Sequence, residues 1–457
     1  MGVQNKVTAR KLVLGASIAA IFGGIGAPAQ ADSYDVLLEK LRTKGVLSDS
    51  EYGEFQTLRE DDVKAAEKSG KDEARLKYKD GFTLESADGE NSLSIAGRVH
   101  ADYRSFSEDG AGSSAADTFD IRRAYLGVKG KIAKDWSFEA TQDIANNSLE
   151  YAFINYKVSD AAQLRIGAFK FQYSFEEITS SRFIDFQERS FVNALVPGKD
   201  QGIMIHGEPV NNTFAYAVGV MNGGGKNADE ANAVNDDKEI VGRVAANFAA
   251  MAGLADTVLH LGLNYSDGTT NSVSSSVRTE ARGLTTFSIA TGAPADGVDR
   301  TRTGIEGVLA YGPFKLQSEW AKMGLKTTAF DRDIDAMYVA ANWLITGEKY
   351  ADSYSLGGMK AIKPNNPFKK GGSGMGAWEL GVRYSKLDGS DWAGTAELGA
   401  GTTAEADAIT VGLKWIPVTP VRVYLNYTQT DFNTPVATAT GTTNDEKAIT
   451  LRTSVYF

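Results

Sequence analysis

The sequence predicts an all-β fold, a 16-stranded antiparallel transmembrane β-barrel with a short N-terminal helical extension. Three observations predict it. From Leu93 to the end, apolar residues recur with a period of two in segments of about ten residues, the length a tilted strand needs to cross a bilayer. The composition is that of many short strands and turns: 48 Gly, 21 Phe, 18 Tyr, 6 Trp and only 10 Pro. After Ala31 no apolar run approaches the roughly twenty residues of a membrane helix, so strands are the only spanning elements left.

Residues 1–31 read as a cleavable signal peptide. Lys6, Arg10 and Lys11 form the basic start, Leu12 to Ile25 the apolar run, and Ala29-Gln30-Ala31 a small-residue cleavage site. Cleavage removes three positive charges and takes the net charge from −10 to −13. The chain has no cysteine, which excludes disulfides, thiol nucleophiles and cysteine metal sites. Residues 32–80 carry Leu37, Leu38, Leu41, Leu47, Tyr52, Phe55 and Leu58 at helical spacing, with Ser48 as a helix start. They predict a short helical pair followed by a charged linker, Arg59 to Lys79, either a periplasmic extension or an oligomerisation element, with too few heptads to prove a coiled coil.

Residues 81–457 form the barrel domain. Strands are expected at 93–106, 118–131, 135–143, 149–158, 162–171, 201–209, 213–221, 239–248, 258–267, 302–311, 314–323, 335–345, 377–388, 407–415, 421–431 and 447–457. Sixteen is an even number, as single-chain bacterial barrels have. With both ends in the periplasm, connections after even strands should be short, as 209–212, 312–313 and 416–420 are. Those after odd strands should be longer, as 172–200, 222–238, 268–301 and 432–446 are. The segment from Thr346 to Gly376 breaks the rule: either two strands hide in it, or a lysine-rich turn sits at the inner mouth. The last strand places Ile449, Leu451, Val455 and Phe457 on one face, and a terminal Phe so placed is similar to the assembly signal of bacterial outer-membrane barrels.

The longest apolar connection, Phe171 to Asp200, interleaves Arg182, Arg189 and Lys199 with Glu176, Glu177, Asp185 and Glu188. A loop this long is usually functional. Either it folds into the barrel and narrows a channel, or it lies over the rim. Lipid demands an apolar outer face, so the polar face lines the lumen. That places Arg98, His100, Arg165, Arg243, Arg302, Lys315, Arg383, Lys414, Arg422 and Arg452 inside, against Asp102, Glu139, Asp143, Glu150, Glu306, Glu319 and Glu379. The lumen is therefore mildly basic in an acidic chain, and arginine-lined constrictions favour anions. In Arg122-Arg123 one side chain can face the lumen, while the other needs an interface, a subunit contact or a bulge.

Six motifs in order resemble the phosphate-selective porin O and P family over essentially all of the barrel. They are Arg122-Arg123-Ala124-Tyr125-Leu126-Gly127-Val128, Arg165-Ile166-Gly167 with Phe169-Lys170, and Thr179-Ser180-Ser181-Arg182 leading to Glu188-Arg189. Further on come Tyr311-Gly312-Pro313-Phe314, Leu344-Ile345-Thr346-Gly347-Glu348 and Gly376-Ala377-Trp378-Glu379-Leu380. The resemblance implies a sixteen-stranded outer-membrane porin, trimeric, with a loop folded into each pore and inorganic phosphate or other small anions as solute. It also implies that Arg122, Arg123, Tyr125, Ser180, Ser181, Arg182 and Arg189 form the anion path, to which Arg98, Arg165 and Arg243 are added from the strand pattern. Two features depart from the family. Glu176-Glu177 place acids ahead of the loop hydroxyls, and the arginines near strands eight and nine are few, with Arg278 and Arg282 in a loop. A general small-solute porin is the alternative. An outer-membrane hydrolase lacks a nucleophile, since His100 and Asp102 two residues apart make no triad, and an adhesive barrel would have a plugged lumen. The acidic balance argues against nucleic acid. No metal or cofactor is expected, with the acids of 235–237 and 331–335 read as solvated loop residues.

Overall fold

The computed structural model describes residues 74–78, 81–108, 115–210, 212–225 and 236–457, with a few single positions between 39 and 57. The signal peptide and nearly all of the helical extension lie outside the described residues.

Sixteen antiparallel strands form the barrel: β1 Ser92–Phe106, β2 Thr118–Ile132, β3 Trp136–Asp143, β4 Ser148–Lys157, β5 Gln163–Lys170, β6 Lys199–Val210, β7 Phe214–Met221 and β8 Glu239–Asn247. They continue as β9 Thr257–Thr270, β10 Val298–Tyr311, β11 Phe314–Lys326, β12 Asp331–Leu344, β13 Ala377–Asp388, β14 Glu405–Ile416, β15 Val421–Ala437 and β16 Thr442–Tyr456. Each pairs with its sequence neighbour, and β16 closes on β1 from Ala448↔Phe106 to Tyr456↔Arg98, so no barrel edge is left open. The alternation is as expected: Leu93, Ile95 and Val99 face outward and exposed, while Arg98, His100 and Asp102 are buried inside.

The strands run beyond the expected outer ends: β10 starts at Val298, β12 at Asp331, and β15 reaches Ala437. Ladder pairing continues above the lipid, where outward positions become charged, as in Lys326↔Asp331, and the apolar signal disappears. Two further differences follow from local pairing. Part of the expected charged linker, Arg75–Tyr78, is a strand paired with Phe82–Glu85, which in turn pairs with the periplasmic end of β1. The 268–301 connection contains a hairpin, Ser274–Arg278 with Thr285–Ala290.

The segment between β5 and β6 folds into the barrel. Phe169, Phe171, Tyr173, Phe175 and Phe191 are almost completely buried, as aromatic area of this size drives. The β9–β10 hairpin packs inward on the same core through Val277, Leu284, Phe287 and Ile289. The 345–376 connection holds no strand and is the turn rather than a hidden strand pair. Its Tyr350, Leu356 and Met359 are buried, while Lys360, Lys363, Lys369 and Lys370 are exposed. It meets the β5–β6 loop from the periplasmic side: Met359 N donates to Thr179 Oγ1 at 3.0 Å, and Tyr354 stacks on Phe175 at 6.0 Å. Gly358 has φ +106, and a Cβ there would lie 2.9 Å from Thr179 Cα, so only glycine permits this approach.

Candidate functional site: an arginine-lined lumen

The three inward segments fill most of the lumen and leave space along β1–β5. A cavity of about 500 Å3 is lined by Arg98, Arg122, Arg123, Tyr125, Tyr151, Ser180, Ser181 and Arg189. Above it lies a cavity of about 420 Å3 with Arg104, Arg122, Arg278 and Arg282. Below it a cavity of about 320 Å3 has Arg98, Arg165, Ser180 and Arg182, and leads to a periplasmic vestibule of about 800 Å3 through Arg165 and Gln172. Neighbouring cavities share lining residues and so stand in series between the outer and the inner mouth.

The Arg122-Arg123 pair reaches the lumen through a bulge. His100 pairs with Arg123 and Ala101 with Ile121, leaving Arg122 as the extra residue and turning both guanidinium groups to the same cavity. Their surroundings differ. Arg122 Nε donates to Glu188 at 2.9 Å. Arg123 is 8% exposed, its Nη1 has no hydrogen-bond partner, and no carboxylate pairs with it among the described residues. Arg98 lies one pairing step lower, opposite Tyr125, with its guanidinium over that ring at 4.0 Å. Its hydrogen bonds go to hydroxyls alone: Ser181 at 2.7 Å and Ser180 at 3.4 Å. Below it Arg165 donates to Asn155 at 3.2 Å and faces the Phe153 ring at 4.5 Å, again without a carboxylate. Three desolvated guanidinium groups without counter-ions thus descend one wall, and each favours an arriving anion.

The loop acids do not occupy that route as free charges. Glu177 pairs with Lys170 at 3.0 Å and Arg189 at 3.3 Å, and accepts from Asn193 at 2.6 Å. Burial pushes its carboxyl up, but Arg189 and Lys170 outweigh that and hold it below the usual range. Glu176 accepts from Ser190 Oγ at 2.6 Å and Arg383 at 3.3 Å, and burial keeps its carboxyl raised despite Arg383. Glu188 sits among Arg122, Arg452 and Arg104 at 2.7–3.1 Å. Burial opposes its ionisation, yet these guanidinium groups hold it well below the carboxylate range. Glu150 accepts from Tyr125 Oη at 2.8 Å and pairs with Lys199.

Three of the expected residues border the route but are engaged by the protein itself. Arg243 lines the periplasmic vestibule, where it pairs with Glu306 at 2.5 Å and donates to Leu356 O at 3.0 Å, which ties the periplasmic connection in place. Arg182 faces the lower cavity and stacks between Phe183 and Tyr456, away from the Arg122-Arg123 chamber. Arg189 borders the chamber, but it also donates to the carbonyls of Glu176, Glu177 and Thr179 at 2.8–3.2 Å and so shapes the loop. The sequence expectation omitted Arg104, Lys170 and Tyr151. Arg104 continues the two-residue alternation from Arg98 and could have been found by it. The apparent shortage of arginines near β8 and β9 is made good by the hairpin, which brings Arg278 and Arg282 to the outer cavity. Burial, and next the nearby Arg122, pull the Arg282 guanidinium down to about 10, as expected where cations gather.

Residues 93–457 match the family described as phosphate-selective porin O and P. Porin O of Pseudomonas aeruginosa is 28% identical over 390 residues, 77% of this chain and 86% of that protein. Among solved structures, the fold is similar to that of an anion-selective porin from Comamonas acidovorans, with a TM-score of 0.51 at 12% identity over 80% of this chain and all of the other. It is also similar to Pseudomonas putida OprB, with a TM-score of 0.52 at 11% identity over 80% of this chain and 94% of that one. The matched residues are the barrel itself, and the chain belongs to the phosphate-selective porin O and P family: it is an outer-membrane porin.

Proposed function

We propose that the porin passes small anions, inorganic phosphate foremost, along the β1–β5 wall. The observation that carries this reading is the line of Arg123, Arg98 and Arg165, desolvated and without carboxylate partners. A phosphate entering past Arg282 and Arg122 loses water as it meets them. The Ser180 and Ser181 hydroxyls stand in for part of that hydration, and the guanidinium forks match its oxygens in pairs. Glu188, Glu177 and Glu150 keep the net field moderate, so that an ion can leave as well as enter. The name of the Pseudomonas relative's family and the description of the Comamonas porin agree with an anionic solute. We further propose that the barrel assembles as a trimer with outer-membrane lipid around it, as the family resemblance implies. All of this describes diffusion, with no chemical step and no cofactor.

The test is the zero-current potential of the purified porin across a planar bilayer under a potassium chloride gradient, followed by phosphate titration of the chloride current. Anion preference with phosphate block supports the reading. Anion preference without block would leave a general small-anion porin, and cation preference would overturn it.

A further inference from the structure

Two inward segments meet on one side chain of the opposite wall. Arg383 of β13 is 2% exposed. Its Nη2 and Nε donate to Glu280 Oε2 of the β9–β10 hairpin at 2.6 and 3.2 Å. Its Nη1 donates to Glu176 Oε1 and to the Glu188 carbonyl of the β5–β6 loop at 3.3 and 3.1 Å. Thr410 Oγ1 completes the hold on Glu280 at 3.1 Å, and the Phe186 ring lies under the guanidinium at 4.7 Å. The hairpin carries Arg278 and Arg282 over the outer cavity, and the loop carries Ser180 and Ser181 at the constriction. One guanidinium therefore ties together the outer and the middle stations of the route.

We infer that Arg383 is a positioning residue, a latch that joins the hairpin lid to the constriction loop and helps hold the outer arginines and the loop hydroxyls in register, beside Arg104, which donates to Ala281 O at 3.2 Å and to Glu188 at 3.1 Å. This deepens the conduction reading, since it concerns how the same route is assembled, but it stands on the geometry of the two loops. The physical basis is asymmetry. Without the guanidinium, Glu280 and Glu176 become two buried carboxylates with their shared cation gone, and the lid can reach water by swinging outward. Without Glu280, Arg383 keeps Glu176 and the Glu188 carbonyl, so the lid loosens and the constriction does not. Lysine cannot replace the fork, because one ammonium lacks the paired geometry to serve both carboxylates.

The test combines trypsin cleavage from the outer face of reconstituted porin with single-channel conductance. Fragments ending at Arg278 or Arg282 report the lid by mass spectrometry, and conductance at high salt reports the constriction. R383Q and E280Q should both release those fragments roughly tenfold faster than the parent protein, as cleavage follows the open population. Only R383Q should also raise the conductance. R383K, which keeps the charge, should fall between the parent and R383Q in both readouts and serves where R383Q fails to assemble. Cleavage of R383Q at the parent rate would overturn the inference, as would E280Q raising conductance as much as R383Q. The cleavage readout is independent of solute preference, so cation preference would sink the conduction reading and leave the latch to be judged on its own.

Discussion

The two walls of the barrel carry similar numbers of inward cations and use them differently. On β10–β16 nearly every one is committed to a carboxylate or a loop carbonyl. Lys315 pairs with Asp185 at 2.7 Å, Lys414 with Glu379 at 2.8 Å, and Arg452 with Asp102 and Glu188, both at 2.7 Å. On β1–β5, Arg98, Arg123 and Arg165 meet hydroxyls, an amide, an aromatic ring or nothing. The first wall holds the folded loop; the second also holds it, through Arg104, Arg122 and Lys170, but leaves Arg98, Arg123 and Arg165 for the solute. An inward charge is thus a weak sign of function, and an inward charge without a counter-ion is a strong one.

The largest effect should come from breaking the holding wall. R452M takes from Asp102 and Glu188 one of the two guanidinium groups they share, leaving Arg104, and should cost about 3 kcal/mol, read as a lower unfolding temperature of the detergent-solubilised barrel. Phosphate block of the fraction that still folds should change little. The reverse pattern is expected on the other wall. R98Q or R123Q should each weaken phosphate block roughly tenfold, for a charge-assisted hydrogen bond worth about 1.5–3 kcal/mol, while the unfolding temperature hardly moves. Removing an unpaired buried charge can even stabilise the barrel. A smaller step is S181A, which takes one hydroxyl from Arg98 and should weaken block severalfold, for about 1 kcal/mol.

The smallest effect concerns pH. The Glu188 carboxyl is held well below its ordinary value, so its ion pairs contribute stability that is complete above the unfolded carboxylate range and is lost only as pH falls through the depressed folded value. Glu177 behaves likewise, and more weakly. Glu176 runs the other way: burial raises it, so ionising it opposes folding as pH rises through its folded value. Glu188 and Glu177 should therefore add no pH dependence to phosphate block, at a fixed ratio of its ionic forms, between about pH 6 and 8, where both are ionised. A steep change across that window would place a different titrating group on the route.

The barrel was legible because lipid imposes a rule that sequence displays directly, apolar outside and polar inside with a period of two. Even the parity of the connections could be read. The site was legible by halves. Facing directions of Arg98, Arg165 and Arg452 follow from alternation, but whether a cation is paired depends on which loop carboxylate reaches it across the lumen. Asp185 meets Lys315 at a separation of 130 residues, and Glu188 meets Arg452 at 264. No local pattern encodes such meetings. The bulge that turns Arg122 inward adds one residue without a sequence signature, and the hairpin that delivers Arg278 and Arg282 hides among small polar residues. Glu176 and Glu177 look like obstacles to an anion until Arg383, Lys170 and Arg189 are seen beside them.

The central claim is that the cations without counter-ions, and not the inward cations at large, make the anion route. The most direct measurement compares phosphate block of chloride current in the parent porin, in the R98Q/R123Q double variant, and in a K315Q/K414Q double variant from the holding wall. Loss of block by roughly a hundredfold in the first pair, with block retained in channels that still form from the second, is the predicted result. Equal loss in both, or block surviving without Arg98 and Arg123, would contradict it.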